Sequence, residues 1–277
     1  MILSDKKKDF DYTRVKRDVY AEMKTAHYHP YYEIYYLVSG TRKFFIDNTI
    51  YTVKKGDLII IPTGAIHRVT YISNDTHERI VICFSDKFIE DFTPHLDPDA
   101  FNKCICNSQI SIPHNRREYI ENLLEKIEHE NSGIDKYSSL MLKIHFEELL
   151  LFIMRYQENA DSPEKNIEIE DEIISNAARY IFNNYASAIT LNDMAERFNM
   201  SPSYFSRKFK HCTGIGFKEY LNTIRIREAA SLLLSSDLSI SEIAEKCGYE
   251  DSNYFGDCFK KIKGISPREY RKAAGIM

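Results

Sequence analysis

The 277-residue sequence has little of what would mark a membrane, secreted or uniformly basic protein. No apolar run approaches the ~20 residues that a spanning helix needs. The opening stretch MILSDKKKDFDYTRVKRD has lysines but no apolar core behind them, so it does not read as a signal peptide. None of the six cysteines (Cys83, Cys104, Cys106, Cys212, Cys247, Cys258) stands in a CxxC pair, and their spacings make no disulfide framework. They read as reduced thiols filling core gaps in a soluble, cytoplasmic chain. An excess of positive charge is also lacking. The net charge of -4 excludes a histone-like packager but not a local nucleic-acid face. What remains is globular material, 43% apolar and 28% charged, long enough for two domains.

The stretch from Thr190 to Tyr270 nearly repeats itself. TLNDMAERFNMSPSYFSRKFKHCTG returns as SISEIAEKCGYEDSNYFGDCFKKIKG. Tyr204/Tyr254, Phe205/Phe255, Phe209/Phe259, Lys210/Lys260 and Gly214/Gly264 stand fifty residues apart, while Ala195/Ala244 and Glu196/Glu245 stand forty-nine apart. Two copies of one supersecondary unit follow, the second with one extra residue at its turn. Each opens on a capping box, Thr190 with Asp193 and Ser239 with Glu242. Ser201-Pro202 starts the next helix of the first copy, with proline where no amide bond is lost. Asp251 caps it in the second.

Phenylalanines at i,i+4 mark the inward face of each second helix. Ser201, Ser203, Tyr204, Ser206, Arg207 and Lys210 are then left outward, as are Asn253, Tyr254, Gly256, Asp257 and Lys260. There a docked helix meets base edges and phosphates. Gly216–Ser236 reads as one connecting helix of roughly 30 Å. That is close to the ~34 Å turn of B-DNA separating two major-groove sites on one side. Residues 197–277 hold 14 Lys/Arg against 9 Asp/Glu, a basic face in an acidic chain. Ser266-Pro267-Arg268-Glu269 starts a last helix through Ala274, with Arg271 and Lys272 as candidate phosphate contacts.

The segment IREAASLLLSSDLSISEIAEKCGYEDSNYFGDCFKKIKGISPREYR resembles the signature of the AraC/XylS family of bacterial transcriptional regulators. The resemblance implies two helix–turn–helix units, 190–214 and 239–264. It gives the principal base contacts to Ser203, Ser206 and Arg207, with the second helix matching at Asn253, Gly256 and Asp257. Arg225, in the connecting helix, would either meet phosphate or brace the two units. Asp257 departs from the pattern, since many relatives carry arginine there. A carboxylate can accept from cytosine N4 but is repelled by phosphate, so the second unit should add less base-specific energy.

Upstream, residues 10 to about 85 read as short strands: Tyr31–Val38, Arg42–Ile46, Ile50–Val53, Leu58–Ile61, a strand at His67, and Thr76–Phe84. Asp47-Asn48 suits a hairpin turn, and the spacing suggests a barrel or two-sheet sandwich. HYHPYYEIYYLVSG and GDLIIIPTGAIH resemble both signature motifs of the cupin barrel, although Tyr71 stands where cupins often have asparagine. The resemblance implies that His27, His29, Glu33 and His67 are the ligands if a divalent transition metal is present. The leading expectation has no cofactor: an effector pocket built from His27, His29, Glu33, Tyr35, Arg42 and His67, suited to a polar ligand such as a sugar.

Residues 86–113 read as irregular. Arg116–Glu130 and Asp135–Tyr156 read as helices, the second leucine-rich enough to pack on its own barrel and pair subunits. Gln157–Glu168 reads as the linker, and Ile169–Asn184 as the helix opening the second domain, with Ile173, Ala177, Tyr180 and Ile181 on its packing face. The whole is therefore a multi-domain α+β chain. A cupin-like barrel with helices (1–156) precedes the linker (157–168) and an all-α double helix–turn–helix domain (169–277). The expected function is sequence-specific DNA binding in transcriptional activation under a small-molecule effector, with no enzymatic activity. The expected partners are double-stranded DNA, the effector, a second copy of the chain and RNA polymerase, with no membrane. The alternatives are a regulator whose barrel only dimerises, and a metal-dependent cupin enzyme.

Overall fold

Alternation along each strand decides how the N-terminal half is layered. The computed structural model describes residues 9–17, 23, 25–71, 76–106, 109–159 and 169–273. Its strands are β1 Phe10–Arg17, β2 Tyr32–Ser39, β3 Thr41–Ile46, β4 Thr49–Lys54, β5 Asp57–Ile61, β6 His67–Tyr71, β7 His77–Phe84 and β8 Gln109–Ser111. They form two antiparallel sheets, β1-β7-β2-β5-β8 and β4-β3-β6. Between the sheets lie Tyr35, Leu37, Phe44, Ile46, Ile59, Ile61 and Val69. Ile34, Tyr36, Leu58 and Ile60, one residue out of phase, pack outward against helices. That is why Leu58–Ile61 is apolar without alternation: both faces of β5 are covered. Asp47 makes the β3–β4 turn in the left-handed region at φ 48°, a conformation that Asp and Asn tolerate best after glycine.

The covering helices are α1 Pro98–Cys106, α2 His114–Asn131 and α3 Ser138–Asn159. Residues 86–113 are thus more regular than expected. Asp97 accepts from the Asp99 amide and Pro98 sits at the first turn, so this Asp-Pro pair starts α1. Gln109–Ser111 then adds β8 to the edge of β5. Ile120, Leu123, Leu124 and Ile127 of α2 are buried against Phe146, Leu149, Leu150 and Ile153 of α3, as their spacing requires. Most of the expected linker lies outside the described residues, as does the expected end of the last helix at Ala274.

The C-terminal half contains α4 Ile169–Asn183, α5 Leu191–Arg197, α6 Pro202–Thr213, α7 Phe217–Ser235, α8 Ile240–Lys246, α9 Ser252–Lys263 and α10 Pro267–Ala273. Its two cores share α7. Residues 217–224 of that helix enter the first, with Ala177, Ala178, Ile181, Met194, Phe205 and Phe209. Residues 226–233 enter the second, with Ile243, Ala244, Phe255 and Phe259. On α4 it is Ile174, one residue on from the expected Ile173, that is fully buried.

The halves also share apolar contacts, because Phe45, Ile50 and Ile66 of the sandwich join the first of these cores. Polar ties border them. The Tyr220 hydroxyl donates to the Asp47 carbonyl (2.6 Å), the Ile50 amide to Ser175 Oγ (3.1 Å), and Arg227 pairs with the Asp47 carboxylate (2.8 Å).

Candidate nucleic-acid interface and ligand cluster

Both helix–turn–helix units are held by local bonds that the repeat anticipated. Thr190 accepts from the Asp193 amide while the Asp193 carboxylate accepts from the Thr190 amide, and Ser239 and Glu242 do the same. Ser201 caps α6 through the Tyr204 amide, and Asp251 caps α9 through the Asn253 amide. Both helices end on left-handed glycines, Gly214 (φ 77°) and Gly264 (φ 83°). At Gly214 a second constraint applies, since a Cβ would collide with the Arg68 side chain.

Burial of Phe205/Phe209 and Phe255/Phe259 turns the opposite faces of α6 and α9 to solvent. Ser201, Ser203, Tyr204, Arg207 and Lys210 are exposed and Ser206 half-buried; Asn253, Tyr254, Asp257 and Lys260 are exposed and Gly256 half-buried. The cores of the two units occupy successive halves of α7, whose 19 residues span about 28 Å at 1.5 Å each, and Tyr254 on the second face reaches back to Asn222 and Lys218 in its first half.

Two arginines that were candidate DNA contacts sit elsewhere. Arg225 is 9% exposed; its Nε donates to the Tyr185 carbonyl and its Nη2 to the Ser187 carbonyl, both at 2.8 Å. Of the two roles expected for it, this geometry is the brace. The half-buried Arg271 donates from Nε to the Leu233 carbonyl (3.3 Å) and from Nη2 to the Leu238 carbonyl (2.6 Å), closing the turn after α7. Both bonds hold its guanidinium against the domain's own backbone.

The six candidate pocket residues divide into two groups. His27, His29 and His67 converge, with one ring nitrogen from each lying within 4.8 Å of the others. The His27 backbone pairs with His67 as an isolated bridge between the strand and the segment before β2. Glu33 borders the cluster, its Oε2 3.2 Å from His29 Nε2. Burial, then the neighbouring His67 and His29, push the His27 imidazole down to about 4, so it is neutral near pH 7. Burial also lowers His67. For Glu33, burial opposes ionisation, but the hydrogen bond from His29 and the field of the three rings outweigh it and keep its carboxyl low.

Tyr35 and Arg42 do not join this cluster. Tyr35 is fully buried, edge-on to Phe44 at 4.7 Å. Arg42 is buried further down the same interior, bonded to His77 and the Thr41 carbonyl. Both face between the sheets as expected; Tyr35 lies two residues along β2 from Glu33, and Arg42 bonds to His77, which packs on Gly40 just past the end of β2.

The cluster opens toward the reader domain. A cleft of about 810 Å³ is lined on one side by Ala26, His27, Tyr28 and Ile66, and on the other by residues of α7 and α9 that include Lys218, Asn222, Asp257 and Lys261. Tyr28 donates its hydroxyl to the Ile262 carbonyl in the last turn of α9 (3.0 Å), with Lys263 over its ring. Arg68 donates to the His211 carbonyl near the end of α6 (3.0 Å). Sequence reasoning missed these ties: Tyr28 and Arg68 lie beside the cupin-like histidines, but nothing local signals a partner about 230 or 140 residues away.

Residues 194–273 match the family model described as a helix-turn-helix domain, and residues 33–162 match that of the ExsA N-terminal regulatory domain. Over 260 residues the chain is 26% identical to the HTH-type transcriptional activator RhaR of Salmonella dublin, covering 93% of this chain and 89% of that one. Over 93 residues it is 46% identical to the uncharacterized HTH-type transcriptional regulator YijO of Escherichia coli strain K12, covering 34% of this chain and 33% of that one. Among solved structures, the C-terminal domain of AraT, a response regulator from Geobacillus stearothermophilus, is 42% identical, with a TM-score of 0.37, covering 38% of this chain and 88% of that one.

Proposed function

Because the chain belongs to the AraC/XylS family of DNA-binding transcriptional regulators, we propose that it activates transcription from an operator read by α6 and α9 in successive major grooves. The observation that carries this reading is the pair of repeated helices, α6 and α9, with polar faces turned outward and cores joined through one unbroken α7. Arg207 is the chief base reader, with Ser203 and Ser206 beside it. Asn253, Gly256 and Asp257 position the second helix more than they read. Lys210 and Lys260 meet phosphates.

The sandwich is the sensor. A small ligand bound at the histidine cluster and the adjoining cleft would act on readers that Tyr28 and Arg68 already touch. The name of RhaR supports activation over repression, and with it RNA polymerase as a partner in a cytoplasmic setting. Leu140 (58% exposed), Ile144 (46%) and Leu151 form an apolar stripe on α3, which supports pairing with a second copy there.

Selection of bound DNA from a random pool, followed by titration of Arg207→Ala and Asp257→Ala, tests the reading. Arg207→Ala should cost roughly 1–3 kcal/mol on the selected site and relax its specificity. Asp257→Ala should leave affinity unchanged or raise it. No enriched site, or a larger loss at Asp257 than at Arg207, would refute the assignment.

A further inference from the structure

The sandwich touches both recognition helices, and it does so through one short ribbon. The segment before β2 runs beside β6. The His27 and His67 backbones exchange both hydrogen bonds (3.0 and 2.8 Å), and the Met23 amide donates to the Val69 carbonyl (3.1 Å). Alternate residues of paired strands share a side. With His27 and His67 in the cluster, Ala26, Tyr28, Ile66 and Arg68 are left on the opposite side, toward the reader domain. Ala26 and Ile66 pack there with the core of the first unit.

The two polar residues of that face reach to different units. Arg68 donates from Nε to the Met23 carbonyl (2.9 Å), inside the ribbon, and from Nη1 to the His211 carbonyl (3.0 Å) in the last turn of α6. Tyr28 donates to the Ile262 carbonyl (3.0 Å) in the last turn of α9, with the Lys263 ammonium 5.5 Å from its ring centre. Each bond takes up one of the carbonyls that a helix leaves unpaired in its last turn. The reader domain's own links lie elsewhere. Its two apolar cores are separate and share α7, and Arg225 ties the Tyr185 and Ser187 carbonyls to α7 beside Tyr249, ahead of α9. The brace thus acts before the start of α9, and Tyr28 acts at its end.

We propose that Tyr28 and Arg68 are positioning residues for DNA reading: their ribbon clamps the C-terminal ends of α6 and α9 at one separation and so selects the spacing of the two half-sites read by one chain. Neither residue needs to touch DNA. Inserting one base pair between the half-sites moves the second by about 3.4 Å along the duplex and turns it by about 35°. A hydrogen bond of 3.0 Å is lost well before its partner has moved that far. The clamped protein must then give up a grip or a half-site. With one grip removed, α7 remains as the link, and the gentle curvature open to a long helix absorbs part of the change. The inference rests on the two-groove reading above and adds what sets its spacing.

The test uses the full-length chain and the site selected from a random pool, rebuilt with one base pair added to or removed from the spacer. For the parent, either change should weaken binding about tenfold or more, a loss comparable to that of one mismatched base pair. Tyr28→Phe removes only the hydroxyl that holds Ile262. Arg68→Gln shortens the side chain and takes away the fork that reaches His211. In each variant the penalty for changed spacing should fall below about threefold, less than one mismatch costs, while circular dichroism stays unchanged.

A residue that only stabilised the fold would weaken binding to all three spacings alike and leave their ratio as in the parent. An unchanged ratio in whichever variant folds would therefore overturn the clamp while leaving the two-groove reading standing. A parent that binds all three spacings equally would also overturn the clamp. A selected site with a single half-site would overturn the two-groove reading and the clamp with it.

Discussion

Arg225 offers the sharpest separation of a brace from a DNA contact. Its guanidinium donates to the Tyr185 and Ser187 carbonyls at 2.8 Å each and lies over the Tyr249 ring at 5.3 Å. It thereby joins the turn after α4 to the middle of α7 and to the second unit. Hydrogen bonds from a charged donor contribute roughly 1.5–3 kcal/mol each. In Arg225→Lys a single ammonium can reach one carbonyl but cannot span both with the fixed fork of arginine. One such bond is lost, so unfolding free energy should fall by roughly 1.5–3 kcal/mol. Urea unfolding of the full chain measures this at the transition of the helical domain. Operator titrations at several salt concentrations measure the alternative. A phosphate contact would leave stability within about 0.5 kcal/mol and reduce the salt slope by about 1, and that pair of results would refute the bracing role.

Three further outcomes follow from other parts of the molecule. His77 is pushed down to about 4 by burial and then by Arg42 and Arg79. The unfolded chain takes up a proton near the ordinary imidazole value of about 6.5 while the fold resists it. This contribution to stability is therefore complete above pH 6.5 and is lost as pH falls toward 4; acid titration of stability should show that slope, and His77→Gln should remove its share while that of His27 and His67 remains. Glutamates at Leu140 and Ile144 together should give a monomer by sedimentation, with little change in the unfolding of each chain because both positions are solvent-facing. A persistent dimer would place the pairing surface elsewhere. Truncating Phe205 to alanine should cost about 3–5 kcal/mol, since its fully buried ring packs near Phe198, Phe209 and Phe217. A loss under about 1 kcal/mol in thermal or urea melts would mean that α6 is not seated as described.

What could be read in advance was whatever depends on near neighbours in sequence. The capping boxes and the i,i+4 phenylalanines are specified within a few residues, and each appears where its pattern put it. Roles set by distant partners were not legible. Arg225 and Arg271 look like any basic residue near DNA until Tyr185, Ser187, Leu233 and Leu238 are seen around them. Tyr35 and Arg42 share a face with Glu33, but periodicity says nothing of how far along that face a pocket extends. The segment 86–113 was read as irregular because its prolines dominated the pattern, although Asp97-Pro98 was itself a helix start.

The unbroken α7 constrains the operator as well as the protein. Its first half is built into one unit's core and its second half into the other's, so neither recognition helix can turn without straining the rod between them. Inserting five base pairs between the two half-sites would rotate the second by about half a helical turn, onto the far side of the duplex. Each half-site would keep its sequence, yet one chain could no longer occupy both. Such an operator should behave as a single half-site, and a second insertion that restores the full turn should not rescue it, because the rod cannot lengthen. Promoters under this regulator should therefore tolerate base changes within the half-sites better than any insertion or deletion between them.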